Sequence, residues 1–185
     1  MAYCISIVGS SASGKSSVGL LLADLLNFNL YDIDKIISKK TGKNIDKIFA
    51  EKGTEYFQKK NIEILEELFP KIQTTNSLLI IGASPIQNKY TRNLIKQWSS
   101  YIIGLYAEPE ILIKRIFNST FENKHAAHPL LIFDDDFMFS KLLFEFREPF
   151  LFFANEVIDT SNLSIQEVCN QVELFISVFT QKQLL

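Results

Sequence analysis

Residues 9–16 read Gly9-Ser10-Ser11-Ala12-Ser13-Gly14-Lys15-Ser16, which satisfies the spacing G-x-x-x-x-G-K-S/T, and an apolar run, Tyr3–Val8, leads straight into them. This order constrains the fold more than any other feature of the chain. A strand, a glycine-bearing turn and a helix must follow one another, with the backbone N–H groups of the turn gathered at one spot. Gly9 and Gly14 stand where a Cβ would obstruct the turn, so successive N–H groups form an anion-binding nest. An amphipathic run, Val18 to Leu26, follows Ser17, and a helix starting at Lys15 adds its positive end behind the bound anion. Such a nest suits nucleotide phosphates. Lys15 reaches the β- and γ-phosphates, the Ser16 hydroxyl ligates Mg²⁺, and Ser11, Ala12, Ser13 and Ser17 complete the cradle. ATP and Mg²⁺ are the expected cofactors.

The remainder of the chain alternates short β-rich runs with helical stretches, the pattern of a parallel α/β sheet. Strands are expected at Tyr3–Val8, Leu30–Ile33, Leu78–Ile81, Tyr101–Tyr106 and Glu156–Ile158. The first, third and fourth are nearly continuous apolar runs, as in strands covered on both faces. Helices are expected over 15–26, 35–40, 45–52, 55–69, 91–98, 109–117, 136–146 and 165–179. Residues 118–135 show no clear period and hold two histidines, Pro129 and the first two of three consecutive aspartates. A stretch of that length without periodicity reads as a lid or another functional loop. No repeat or linker divides the sequence, so residues 1–185 are expected to form a single domain.

Composition narrows the partners. The net charge of −2 argues against a general nucleic-acid binder, which carries a basic excess. Of the 19 basic residues only three are arginine, Arg92, Arg115 and Arg147. Arginine is the usual residue for bidentate capture of carboxylates and phosphates, so those positions carry weight. Cys4 and Cys169 lie in no CxxC or Cys/His cluster and read as buried free thiols of a reducing compartment. The N-terminal run is shorter than a signal-peptide core, and no segment approaches the length of a membrane span. A soluble, cytoplasmic monomer acting on a small molecule is expected.

Asp32 and Asp34 follow the apolar start of the second strand. Two residues apart on an extended segment, their side chains would point the same way, into the crevice at the carboxyl end of the sheet. One would then serve Mg²⁺ and the other a substrate hydroxyl. The competing assignment makes Asp34 no more than the N-cap of a helix starting at Lys35.

With these residues in hand, the chain resembles the shikimate kinases, small P-loop kinases of the nucleoside-monophosphate-kinase group. Tyr31-Asp32-Ile33-Asp34-Lys35-Ile36-Ile37 resembles that family's DxDxxI. Thr41–Phe49, with Gly53 and Phe57, resembles its TG.SI.eIF…G…FR..E segment. Leu105–Glu110 with Lys114-Arg115 resembles the fourth strand and its helix, His128-Pro129-Leu130-Leu131 the lid RPLL, and Arg147 with Asp159-Thr160 the final substrate arginine and the adenine-side loop. The resemblance implies an α/β P-loop NTPase fold with a five-stranded parallel sheet, order 2-3-1-4-5, flanked by helices, a substrate region near residues 34–62 and a mobile lid near 118–135. It implies γ-phosphoryl transfer from ATP to the 3-hydroxyl of shikimate. Ser16 and Asp32 would handle Mg²⁺, Lys15 and Asp34 would take part in catalysis with Asp34 holding the accepting hydroxyl, and Arg147 would pair with the substrate carboxylate. Arg115 would lie near the adenine.

The departures from the family pattern fall on the acceptor side. Gln58 stands for the family's substrate arginine and Asn61 for the glutamate three residues on. Gly82-Ala83-Ser84 replaces a glycine triplet, and His128 replaces a lid arginine. A charge-assisted hydrogen bond contributes roughly 1.5–3 kcal/mol, so losing one arginine weakens carboxylate binding by about 10- to 100-fold. Three readings follow: a shikimate kinase, a same-fold kinase for another hydroxylated acceptor, or a nucleotide-binding relative without catalysis. Retention of Lys15, Ser16, Asp32 and Asp34 together favours an active enzyme.

Overall fold

The computed structural model describes residues 2–122 and 152–182. Five strands, β1 (Cys4–Gly9), β2 (Asn29–Asp32), β3 (Ser77–Ile81), β4 (Tyr101–Tyr106) and β5 (Glu156–Asp159), form one parallel sheet in the order β2-β3-β1-β4-β5. The expected order is met. The helices are α1 (Lys15–Leu26), α2 (Ile33–Thr41), α3 (Ile45–Ile72), α4 (Ala83–Gln87), α5 (Lys89–Trp98), α6 (Pro109–Glu122) and α7 (Ile165–Lys182).

The apolar strands lie between two layers because successive side chains point to opposite faces. Val8, Leu79, Ile81 and Ile102 face a cluster with Ile33, Ile37, Phe57, Ile64, Leu65 and Ile95 from α2, α3 and α5. Ile5, Ile7, Leu78, Ile80, Ile103 and Leu105 face the opposite cluster, completed by Val18 and Leu22 of α1 and Val168 and Val172 of α7. All positions of β1 and β3 are buried, which accounts for their lack of polar alternation.

Several boundaries differ from the sequence expectation for local reasons. The second strand ends at Asp32 rather than Ile33, because Asp32 is the N-cap of α2 and its Oδ1 accepts from Lys35 N at 3.3 Å. The two helices expected over 45–52 and 55–69 form a continuous run broken at Gly53, whose φ of 75° and ψ of 178° interrupt the helix. The short helix α4 was not anticipated, since five residues are too few to show a period. Residues 118–122, expected to open the lid, are the last turn of α6. The rest of the lid with His128, the helix expected over 136–146, and Arg147 lie outside the described residues. Cys4 and Cys169 are buried free thiols, as expected.

Candidate active site

Gly9 closes β1 beside Leu105 of β4. A Cβ on Gly9 would stand 2.2 Å from the Leu105 carbonyl oxygen and 2.8 Å from Ser13 Oγ, so only glycine lets the loop leave the sheet along this path. Ala12 (φ 59°) and Gly14 (φ 95°) then take left-handed conformations, the alternation that turns successive N–H groups inward. Gly14 is the N-cap of helix α1, which has no side-chain cap and no acidic residue in its first turn. Its first N–H groups and its positive end are therefore left to an anion. Ser16 and Ser17 are exposed at this end, whereas Ser13 is fully buried.

Lys15 is the cation of the loop. Its side chain is 9% exposed and its Nζ donates to the Ser10 carbonyl at 2.6 Å. Burial pulls its pKa down to about 8, against the opposing pull of Asp34 and Asp32. Ser16 Oγ donates to Asp32 Oδ2 at 2.8 Å, and Lys35 Nζ stands 3.4 Å from the same oxygen. Asp32 is thus both helix cap and partner of the loop serine, a double role that the sequence did not separate.

Asp34 is not a cap. It lies in the first turn of α2, so strand alternation does not relate it to Asp32; the onset of the helix turns it instead. Its Oδ2 lies 3.1 Å from where a Cβ on Gly82 would stand, and its Oδ1 is buried without a hydrogen-bond partner. Burial first, and then the charge of Asp32, push its carboxyl above the usual carboxylate range, while Lys15 opposes both. Gly82 and Ala83 follow β3, which lies between β2 and β1. The carboxylate, the glycine and the phosphate loop therefore meet at the carboxyl edge of the sheet, where open α/β folds bind ligands.

Helix α3 bounds the same region. Phe57 packs in one cluster with Ile33 and Ile81, the residues beside Asp34 and Gly82. Gln58 is half-buried on this turn. Asn61 is 0% exposed, and its Nδ2 donates to the Phe57 carbonyl at 2.8 Å.

Arg115 closes the other flank. Its guanidinium donates to the Ala12 carbonyl at 3.3 Å, to Thr160 Oγ1 at 3.1 Å and to the Thr160 carbonyl at 2.6 Å. Thr160 Oγ1 also lies 3.2 Å from the Ser13 carbonyl and 2.9 Å from that of Tyr106. Loop, α6 and the turn after β5 are tied together here. Thr160 entered the sequence reading only as part of the adenine-side loop that the resemblance implies, and its bonds to Arg115 and to the phosphate loop come from the structure. The Ser10 carbonyl, which accepts from Lys15, was not among the expected site groups, and nothing local marks it.

Comparison with known proteins places this geometry. A family model described as shikimate kinase matches residues 11–177. A shikimate kinase of Caldanaerobacter subterraneus subsp. tengcongensis is 32% identical over 171 residues, 91% of this chain and 92% of the relative. One from Francisella tularensis subsp. holarctica is 30% identical over 173 residues, 93% of each chain. The solved structure of shikimate kinase from Acinetobacter baumannii in complex with shikimate superposes with a TM-score of 0.82, at 26% identity, over 96% of this chain and 94% of that one. The family match runs from inside the phosphate loop to the last helix and takes in both aspartates, Gly82, Arg115 and Thr160. The chain belongs to the shikimate kinase family and is a phosphotransferase that acts on an alcohol group.

Proposed function

We propose that this chain transfers the γ-phosphoryl group of ATP to the 3-hydroxyl of shikimate. The observation that carries the proposal is the meeting of Lys15, Ser16, Asp32 and Asp34 beside Gly82 at the carboxyl edge of the sheet. The loop fits a polyphosphate on three counts. Its first helical N–H groups are uncapped, Gly9 leaves no room for a Cβ, and Ser13 Oγ is a buried oxygen without a partner. Ser16 Oγ and Asp32 Oδ2 form a hard-oxygen pair suited to Mg²⁺, a cation that takes few protein ligands and completes its shell with phosphate and water. When bound, Mg²⁺ supplies positive charge that neutralises phosphate oxygens during transfer.

The residues of the chain divide the remaining work. Gly9, Ser11, Ala12, Ser13, Gly14, Ser16 and Ser17 hold the phosphates, and Lys15 places its ammonium among them. Asp34 orients the acceptor hydroxyl and takes its hydrogen bond; a carboxyl raised by burial is also a better acceptor of the hydroxyl proton. Gly82 and Ala83 bring backbone close to the acceptor, with Gln58 on the facing helix. Arg115 fixes the loop on the nucleotide side. Arg147 pairs with the acceptor carboxylate, and the segment that follows α6 and carries His128 serves as the lid. Residues 1–185 act as one kinase domain, with the substrate region at 34–62, as a cytoplasmic monomer. Net charge is slightly negative, and among the described residues no helix is long and apolar enough to cross a membrane.

One observation favours a second acceptor. The α3 wall presents neutral Gln58, and Asn61, three residues on, is buried with its amide donating to the Phe57 carbonyl. An acceptor needing a single carboxylate contact, or none, suits that wall as well. A coupled assay of ADP release with and without shikimate separates the cases. Shikimate-dependent ADP release is expected, and equal rates with and without shikimate would overturn the assignment of the acceptor.

A further inference from the structure

Among the described residues, the buried side-chain oxygens without a hydrogen-bond partner are Ser13 Oγ, Asp34 Oδ1, Asn61 Oδ1 and Ser84 Oγ. Buried polar atoms are normally paired, because an unpaired one has lost its water without replacement. All of these atoms belong to the segments that bound the site, one on the nucleotide side and the others on the acceptor side. They are not equivalent. Asn61 lies one helical turn from both Phe57 and Leu65, which carry that face of α3 into the core. At 0% exposure it is enclosed by packing that no small ligand displaces. Ser84 is only half-buried, as are Gly82 and Ala83 before it. It lies in the first turn of α4, two residues past the glycine that abuts Asp34. Its oxygen is turned inward, and rotation about χ1 between staggered positions redirects it.

We infer that the Ser84 hydroxyl determines acceptor specificity by hydrogen-bonding a second hydroxyl of the acceptor, beside the one that Asp34 holds. This rests on shikimate being the acceptor. An ionised carboxylate only accepts hydrogen bonds, whereas a serine hydroxyl both donates and accepts. Asp34 and Ser84 together therefore suit a pair of neighbouring hydroxyls better than two carboxylates would. The inward rotamer leaves Ser84 Oγ unpaired, and a bound diol relieves that by giving it a partner. A site that hydrogen-bonds a substrate hydroxyl also discriminates strongly against analogues that lack it.

The test compares the full-length parent with Ser84→Ala, Ser84→Gly and Ser84→Thr, measuring kcat, the KM values for shikimate and for ATP, and the melting temperature without ligand. Ser84→Ala and Ser84→Gly are expected to raise the shikimate KM by about 10-fold, the loss of roughly one hydrogen bond, with the ATP KM unchanged. Ser84→Ala should keep or raise the melting temperature, since it deletes an unpaired buried oxygen. Ser84→Thr keeps the hydroxyl and should stay near the parent. A parent without shikimate turnover overturns the proposed function, and this inference with it. An active parent whose Ser84→Ala variant keeps the parental shikimate KM overturns the inference alone. So does an equal defect in Ser84→Ala and Ser84→Thr, or a parallel rise in the ATP KM, because either marks a structural effect.

Discussion

Replacing Gly9 by alanine tests how tightly the phosphate loop is tied to the sheet. The added Cβ would stand 2.2 Å from the Leu105 carbonyl oxygen, whereas carbon–oxygen contacts lie near 3.3 Å or more. The obstacle is backbone, in a buried strand whose Leu105 is the register partner of Gly9, so no rotamer change relieves it. The loop must move by about 1 Å. Overpacking of this kind together with a weakened ladder hydrogen bond costs about 2–3 kcal/mol. In a chain of this length that lowers the melting temperature by roughly 5–10 °C. A 1 Å displacement of positioning groups lowers turnover by about 100-fold, so kcat/KM for ATP should fall by that order. Gly19→Ala is the control. Its Cβ would meet Ile80 Cδ1 at 2.4 Å, an equally short contact but with the end of a flexible side chain. Alanine is also favoured over glycine inside a helix by about 1 kcal/mol. That variant should stay within about 1 kcal/mol of the parent in urea unfolding, with normal ATP kinetics. A Gly9→Ala enzyme with parental melting temperature and parental kcat/KM for ATP would refute the reasoning.

The electrostatics of the site set a pH dependence. Lys15 titrates near 8, so kcat/KM for ATP should fall as pH rises through about 8, and a flat profile from pH 7 to 9.5 would count against the buried ammonium. Because the folded pKa lies below the unfolded value of 10.5, the unfolded chain binds more protons between about 8 and 10.5; the contribution of Lys15 to stability therefore rises with pH across that window. Asp32→Asn should raise the Mg²⁺ requirement and leave stability nearly intact, since asparagine also caps helices well. Asp34→Asn should mainly lower kcat; identical kinetic defects in the two variants, with no change in Mg²⁺ dependence, would contradict their separate roles. Gln58→Arg with Asn61→Glu should lower the shikimate KM by about 10-fold. Asn61→Glu alone should destabilise by about 3 kcal/mol, because it buries an unpaired charge at a fully enclosed position; equal denaturation midpoints for that single variant and the parent would argue against the enclosure.

The sheet and the phosphate loop were legible in the sequence because both are written locally. A strand covered on both faces needs a continuous apolar run, and β1, β3 and β4 each have one. A loop that must turn without Cβ atoms and end in a lysine needs Gly9, Gly14 and Lys15 at fixed spacing. The break at Gly53 was legible for the same reason, since only a glycine readily takes that backbone conformation. The roles of Asp32 and Asp34 were half legible. Their involvement followed from position after a strand, but which of them capped α2 depended on where β2 stopped, a competition between one more ladder pair and a side-chain cap. What only the tertiary structure decided were contacts between segments remote in the chain. Arg115 reaches Ala12 across 103 residues and Thr160 across 45. The orphaned oxygens of Asp34 and Ser84 acquire meaning only because β3 lies between β2 and β1. No local pattern encodes such contacts: a side chain's partner across the fold depends on which strands the sheet places side by side, and that is settled by packing of the whole core.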